Sequence, residues 1–294
     1  MDILFDIALL SVVLVLLYAV YPRRTLPTVE DVTPPKLPED NTAPPVSIEP
    51  AQKGPKQPFD AFLVLDVEAT CENGSSFAYP NEIIELPVCL MRWKDRRGGT
   101  ARELEVVAEF RSFVKPTWRP ELSDFCQALT GITQGQVDGA PVFASVLRSL
   151  RAFLVKHKLI EKNGKRRMRF CWCSDGPYDI RDFVVKQCFI SQVPFPDWMA
   201  GDVLDVRAQV ASHLPREKLP FGNLNIPAQL WALSLPPFQG QLHSGIDDTR
   251  NLCRVLKQLA LEGVCLQPSS PINPRRRWPW MGKAGRVVED QIPR

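Results

Sequence analysis

Two acids one residue apart, Asp66 and Glu68, close the apolar run Phe62-Leu63-Val64-Leu65. Four large apolar residues in succession suit a strand buried on both faces of a sheet. On a strand, positions i and i+2 point to the same side, so the two carboxylates are presented together. Acids at the end of a buried strand are costly unless something cationic neutralises them. A hard divalent ion such as Mg²⁺, which prefers oxygen ligands, would do so; the plain alternative is a strand that ends in solvated acids at a loop.

Three more residues extend the set. Asp179 follows a second apolar strand, and Asp248 opens a helix after His243. On an ideal helix His243 and Asp248 would lie about 140° apart. They share a site only if His243 sits in the Gly245-containing loop before the helix, a placement that suits a base. Four carboxylates and one His fit a two-metal site, in which two Mg²⁺ ions about 4 Å apart clamp a phosphodiester during in-line attack. One ion activates a water whose proton His243 accepts, and the other stabilises the leaving 3′-oxygen.

These residues must be positioned by a sheet and by helices. Glu82–Met91 reads as a second strand, and Asp95-Arg96-Arg97-Gly98-Gly99 is turn chemistry leading to a third over Glu105–Val114. The strand–turn–strand order predicts an antiparallel meander. Ser123–Leu129 predicts a capped short helix ending at Gly131. Val142, Val146, Leu150 and Phe153 stand at helical spacing within Pro141–Leu154. Met168–Cys173 predicts a fourth strand, followed by helices over Arg181–Phe189, Val203–Leu214, 223–233 and Thr249–Leu261. Between 161 and 169, Lys162, Lys165, Arg166, Arg167 and Arg169 surround Asn163-Gly164. That cluster is either a solvated charged turn or a phosphate contact.

The 294 residues allow one large domain, or two small ones, with appendages. A net charge of +3 and a pI near 8.4 mean that any nucleic-acid surface is local rather than global. Eight cysteines include no CxxC pair, which points to buried free thiols in a reducing compartment. Residues 3–21 form an apolar span long enough to cross a bilayer, with Asp6 its only charge. No Lys or Arg precedes it and Arg23-Arg24 follow, so the expectation is an uncleaved anchor with the rest of the chain in the cytosol. A cleaved signal, which would make the chain lumenal or secreted, is the alternative. Residues 22–58 are proline-rich and read as an extended tether. From 266 to 294 the chain is again polar and proline-rich. Its Arg275-Arg276-Arg277-Trp278-Pro279-Trp280 stretch reads as a disordered tail that could touch RNA or a lipid headgroup.

Asp66-x-Glu68, Asp179 and His243-x₄-Asp248 together resemble the signature of the DEDDh 3′–5′ exonucleases of the RNase H-like superfamily. The words DVEATC at 66–71, NEIIELPV at 81–88, LSDFCQALTGITQGQVD at 122–138, SDGPYD at 174–179 and HSGIDD at 243–248 are similar to its enhanced-RNAi (Eri) branch, exoribonucleases acting on histone mRNA ends, small RNAs and ribosomal RNA. The resemblance covers roughly 59–265. It implies an α/β domain over those residues, an RNase H-like mixed central sheet flanked by helices, with the N-terminal transmembrane helix (1–21) and Pro-rich linker (22–58) in front and the tail (266–294) behind.

The resemblance also implies release of 5′-nucleotides from a 3′-hydroxyl end, with Mg²⁺ as cofactor (two ions, Mn²⁺ a possible substitute) and no small-molecule cofactor. Asp66, Glu68, Asp179 and Asp248 become the metal ligands, Glu68 the bridging one, and His243 the general base. Asp179 rather than Asp175, and Asp248 rather than Asp247, match the motif. Phe125 and Tyr178 match the aromatic pair that sandwiches the terminal base, Tyr178 standing where this branch usually has Trp, and Ala69 joins the substrate contacts. The plain reading of Phe125 is a core helix residue. Members that bind the histone stem-loop carry an N-terminal SAP module, and this chain has an apolar span and a tether there. The expectation is therefore an RNA 3′-end exonuclease, membrane-anchored through residues 3–21 with its catalytic domain facing the cytosol. A catalytically idle RNA-binding scaffold and a DNA 3′–5′ exonuclease are the competing readings.

Overall fold

Alternate residues of one short strand point into two separate cores. In β1 (Ala61–Val64), Ala61 and Leu63 join one apolar cluster while Phe62 and Val64 join another. That is the period of two expected of a strand covered on both faces. The computed structural model describes residues 54–219 and 223–293, and β1 lies in the middle of its sheet.

The sheet has six strands. β2 (Glu68–Ala69), β3 (Ile83–Trp93) and β4 (Leu104–Phe113) form the antiparallel part, with β3 pairing all of β1, β2 and β4. β5 (Phe170–Ser174) runs parallel to β1, and β6 (Val203–Asp205) parallel to β5. The sheet is therefore mixed. β3 is buried along its first nine residues, so each of its faces needs a helical cover.

One cover is α3 (Phe143–Lys156), which follows α1 (Asp124–Thr130) and α2 (Gln134–Asp138). Its Phe143, Val146, Leu147, Leu150 and Leu154 form the apolar stripe that meets β1 and β5. Beside it lie a π-helical turn, Asp179–Val184, and α4 (Val185–Ile190). The opposite face is covered by α5 (Val206–His213), α6 (Ile226–Ala232) and α7 (Gly245–Leu261). In α7, Leu252, Val255, Leu256 and Leu259 are buried at i, i+3, i+4 and i+7. Each such side chain contributes roughly 1.5–3 kcal/mol by leaving water.

Several expectations are corrected. Among the described residues no helix is long and apolar enough to cross a membrane. The expected span at 3–21 lies outside the described residues, as does the tether up to residue 53. The fold is thus an α/β RNase H-like one without a transmembrane helix among its described residues, and the transmembrane helix, the membrane partner and the anchored, cytosol-facing localisation are not carried forward. Residues 54–58, assigned to the tether, belong to the fold. Gln57 donates through Nε2 to the Val264 carbonyl at 2.9 Å and accepts from the Leu266 N–H at 2.9 Å.

The tail differs too. Trp278, Trp280, Met281 and Val287 are buried against Val185 and Ile190 of α4. Trp280 donates its indole N–H to the Ala78 carbonyl at 2.6 Å, and Arg276 pairs with buried Asp182. Two indoles in one short segment carry enough apolar surface to fold it down despite the polar composition around them. Val203–Asp205, expected at the start of a helix, is instead the edge strand β6, because Val203 and Leu204 complete the two cores. All eight cysteines are free.

Candidate active site

The acids stand where strands end. After β1 the chain leaves the sheet at Asp66 and re-enters as β2, where Glu68 pairs in register with Glu85 of β3. β5 ends at Ser174, whose hydroxyl bonds the Gly176 carbonyl at 2.6 Å, and Gly176 takes a φ of 84°. That left-handed step, open to glycine, turns the chain so that Asp179 opens the π-helical turn. Asp248 lies in the first turn of α7. His243 precedes that helix with a φ of 61°, so it sits in the loop and not on the helical face.

All five residues line one cleft of about 660 Å³. Glu68, Asp179 and Asp248 are buried, while His243 is exposed at the rim. The neighbouring acids are committed elsewhere. Asp175 pairs with Arg207 at 2.6 Å and accepts from Gln229 at 2.6 Å. Asp247 accepts the Gln241 N–H at 3.0 Å. Glu85 pairs with Arg111 at 2.6 Å. Among the described residues, Asp66, Glu68, Asp179 and Asp248 have no ion-pair partner.

Burial dominates their acidities. Burial pushes the Asp66 carboxyl well above the ordinary value, and Asp179, Asp248 and Glu68 add to this. Burial, then Asp248 and Glu85, push Glu68 up to about 10. Asp179 rises to about 7 through burial, although the Val67 N–H that it accepts at 2.8 Å opposes the rise. Asp248 also rises to about 7 through burial, opposed by a hydrogen bond from the His243 backbone. Both burial and like charge disfavour the ionised form.

A divalent cation fits this set. Asp248 Oδ2 is buried without a hydrogen-bond partner, and the donors are all hard oxygens. Among the described residues no three His, Cys, Asp or Glu side chains already stand as a finished ligand cluster. The four acids line one cleft without forming a completed cage. A cation there would offset the burial and like-charge cost of ionising them.

The walls are aromatic on one side. Phe125 of α1, 40% exposed, and Tyr178 both line the cleft, as does Ala69. Phe77 also lines it, 57% exposed and stacked on the Tyr178 ring at 4.9 Å and 16°. The sequence reading missed Phe77. Its signal is a lone aromatic in the polar loop that follows the Asp66–Cys71 word. Also missed is Arg207, the one Arg or Lys among the described residues that line the cleft; it comes from α5, where nothing in the sequence links it to Asp175.

A family model described as Exonuclease matches residues 63–256. Over 218 residues the chain is 39% identical to "3'-5' exonuclease eri1" of Schizosaccharomyces pombe, covering 69% of each chain. It is 31% identical over 209 residues to human "3'-5' exoribonuclease 1", covering 71% of this chain and 55% of that one. Among solved structures, the nuclease domain of 3'hExo, described as a DEDDh family member bound to rAMP, aligns with a TM-score of 0.63 at 29% identity, covering 74% of this chain and all of that one. The 3'-exonuclease structure described as recognising the histone mRNA stem-loop aligns with a TM-score of 0.63 at 28% identity, covering 74% and 69%. The matched region thus spans little more than half of the human relative. With the fold, the matched family and the acid-lined cleft in agreement, the chain belongs to the DEDDh-type 3′–5′ exonucleases of the RNase H-like superfamily, in the Eri exoribonuclease branch.

Proposed function

We propose that this 3′–5′ exonuclease trims RNA, with Asp66, Glu68, Asp179 and Asp248 holding two Mg²⁺ ions and His243 serving as general base. The observation that carries the reading is the convergence of four unpaired, field-raised carboxylates on one cleft with an exposed His at its rim. Family members use divalent ions, and oxygen-only donors favour Mg²⁺, with Mn²⁺ able to substitute. When bound, such ions supply Lewis-acid stabilisation of the attacking and leaving oxygens.

The protein groups do the rest. Phe125 and Tyr178 hold the terminal base by stacking, a contact that tolerates any base, and Ala69 lines the cleft with them. Phe77 stacks on the Tyr178 ring and lines the same cleft. His243 takes the proton of the attacking water, and its loop position lets the ring approach from solvent. Preference for RNA is supported by the relatives, whose names specify exoribonuclease. Retention of all five motif positions argues against an idle scaffold. The test is turnover of matched 3′-hydroxyl RNA and DNA strands by the full chain, with Mg²⁺ and with EDTA. A ladder shortening from the 3′ end, faster on RNA and silent in EDTA, supports the reading; equal or faster cleavage of DNA sinks the RNA assignment.

A further inference from the structure

The cleft poses an electrostatic problem. Asp66, Glu68, Glu72, Asp179 and Asp248 line it, and Arg207 is already paired with Asp175. With two divalent ions balancing its four acids, the cleft keeps no spare cation among the described residues for the phosphates behind a seated 3′ end, so affinity for the body of a strand must come from elsewhere.

The opposite end of the sheet supplies it. Residues 148–169 carry nine Lys or Arg and one acid, Glu161, whereas the whole chain has a net charge of only +3. Four of the nine are engaged: Arg148 with Ser145, Arg151 with the Lys162 carbonyl, Arg166 with the Trp198 and Ala200 carbonyls, and Arg169 with Asp60. Lys156, Lys158, Lys162, Lys165 and Arg167 are exposed, and among the described residues their side chains have no hydrogen-bond or ion-pair partner. The turn that carries them is fixed. The Glu161 N–H bonds the Lys165 carbonyl at 2.8 Å, the Arg167 N–H bonds the Leu159 carbonyl at 2.9 Å, and Gly164 turns at a φ of 93°. Cations held together on a rigid turn repel one another, and Glu161 is the one acid within the stretch. A polyanion does offset it.

The location suits a long ligand. β1 and β5 start at this end, where the Asp60 N–H bonds the Arg169 carbonyl, and both point their far ends at the acids. α3, whose 14 residues span about 21 Å, runs toward the turn and ends one residue before His157, which anchors Arg92 through its carbonyl. We propose that the 156–167 turn is an accessory phosphate-backbone site that holds the body of a single-stranded nucleic acid whose 3′ end occupies the cleft. The proposal rests on the 3′-end reading above, and adds a length-dependent affinity to it.

The test compares the parent chain with a variant carrying Lys156→Gln, Lys162→Gln, Lys165→Gln and Arg167→Gln, on strands of about five and about thirty nucleotides. The expected result is a KM on the long strand raised about tenfold at low salt, with the short-strand KM and kcat unchanged. The salt slope of long-strand affinity should shrink by roughly 0.7 for each lost phosphate contact. Replacing the same lysines by Arg should keep parental behaviour. Equal long-strand KM and salt slope in parent and Gln variant overturn the proposal. So does an unchanged long-strand KM accompanied by lost binding to polyglutamate, which reassigns the patch to an acidic protein. Loss of turnover on the short strand by the parent itself would instead overturn the 3′-end reading.

Discussion

A Cβ on Gly245 would stand 2.6 Å from the backbone carbonyl oxygen of Asp66. The first residue of α7 thus touches the point where Asp66 leaves the sheet. The Gly245 N–H also faces Glu85 Oε2 at 3.3 Å. Because the opposing atom is backbone, a methyl group here cannot be accommodated by a rotamer change. Gly245→Ala should push α7 away, carrying Asp248 with it. The expected outcome is a loss of about 1–3 kcal/mol, the usual cost of overpacking, with a fall in Mg²⁺-dependent turnover beyond what the stability loss explains. Thermal melts alongside steady-state rates check it; parental rates in a folded variant would refute the packing argument.

Removing a ligand should separate chemistry from folding. Asp66→Ala relieves buried repulsion, so the fold should persist or gain stability in EDTA while Mg²⁺-dependent turnover disappears. Calorimetry in EDTA and a 3′-end assay in Mg²⁺ measure the two sides. Normal turnover in the variant would remove the central assignment.

The pH dependence of stability has a definite sign. Asp179 and Asp248 have folded values near 7, against ordinary values near 3.8. Between those values the folded state binds more protons than the unfolded one, so stability falls as pH rises across that window. Glu68, raised to about 10, extends the decline above neutrality. In EDTA the melting temperature should therefore drop from pH 4 toward pH 8 in this component, and Mg²⁺ should restore it most at the upper end. A metal-free chain whose melting temperature rises through this range, with no recovery on adding Mg²⁺, would contradict the shared field.

His243 adopts a left-handed backbone conformation with a φ of 61°. Asn tolerates that region better than Ala. His243→Asn should therefore keep the loop and its bond to Asp248, and isolate the loss of the base. A fall in kcat of roughly 10²–10⁴-fold is expected, with little change in melting temperature. Retention of most of the rate would show that another group takes the proton.

Lys186 is fully buried, and burial lowers its value to about 7. Its amine donates to the Phe77 and Tyr79 carbonyls and to Asn81 Oδ1, at 2.6, 2.9 and 3.0 Å. It therefore ties α4 to the loop that carries Phe77. Lys186→Met strands those acceptors, at about 1–3 kcal/mol for each left unsatisfied. Below its folded value the parent holds a buried charge at some cost, and that cost is relieved as pH rises toward the unfolded value of 10.5. The variant's deficit in melting temperature should thus widen between pH 7 and pH 10. A deficit that stays constant over this range would mean Lys186 stays charged.

Much of this arrangement was legible because it is local in sequence. Asp66 and Glu68 are two residues apart on an apolar run, and the strands β3, β4 and β5 and helix α3 carry clear periodicity. His243 and Asp248 could be placed because their helical angle rules out one shared face, which requires the loop that the structure has. What was hidden depends on distant partners. β2 has two residues and β6 three, too short for a period to register. Whether Val203 starts a strand or a helix is decided by its pairing with Trp172. Arg207 and Phe77 acquire meaning only from Asp175 and Tyr178. The tail was misread since composition averages away two tryptophans whose burial sites lie about a hundred or more residues upstream, on α4 and at Ala78.

The Trp280 indole reaches back to Ala78, across 202 residues of chain. The loop it braces also holds Phe77 against Tyr178, so one wall of the cleft rests on a segment far downstream of it. During translation the acids, the sheet and both helical layers are all made before that brace exists. A nascent chain stopped near residue 265 carries all five motif residues but not the brace behind the Phe77–Tyr178 wall. Competence to grip a strand end is in this sense deferred until the segment around Trp280 has been made.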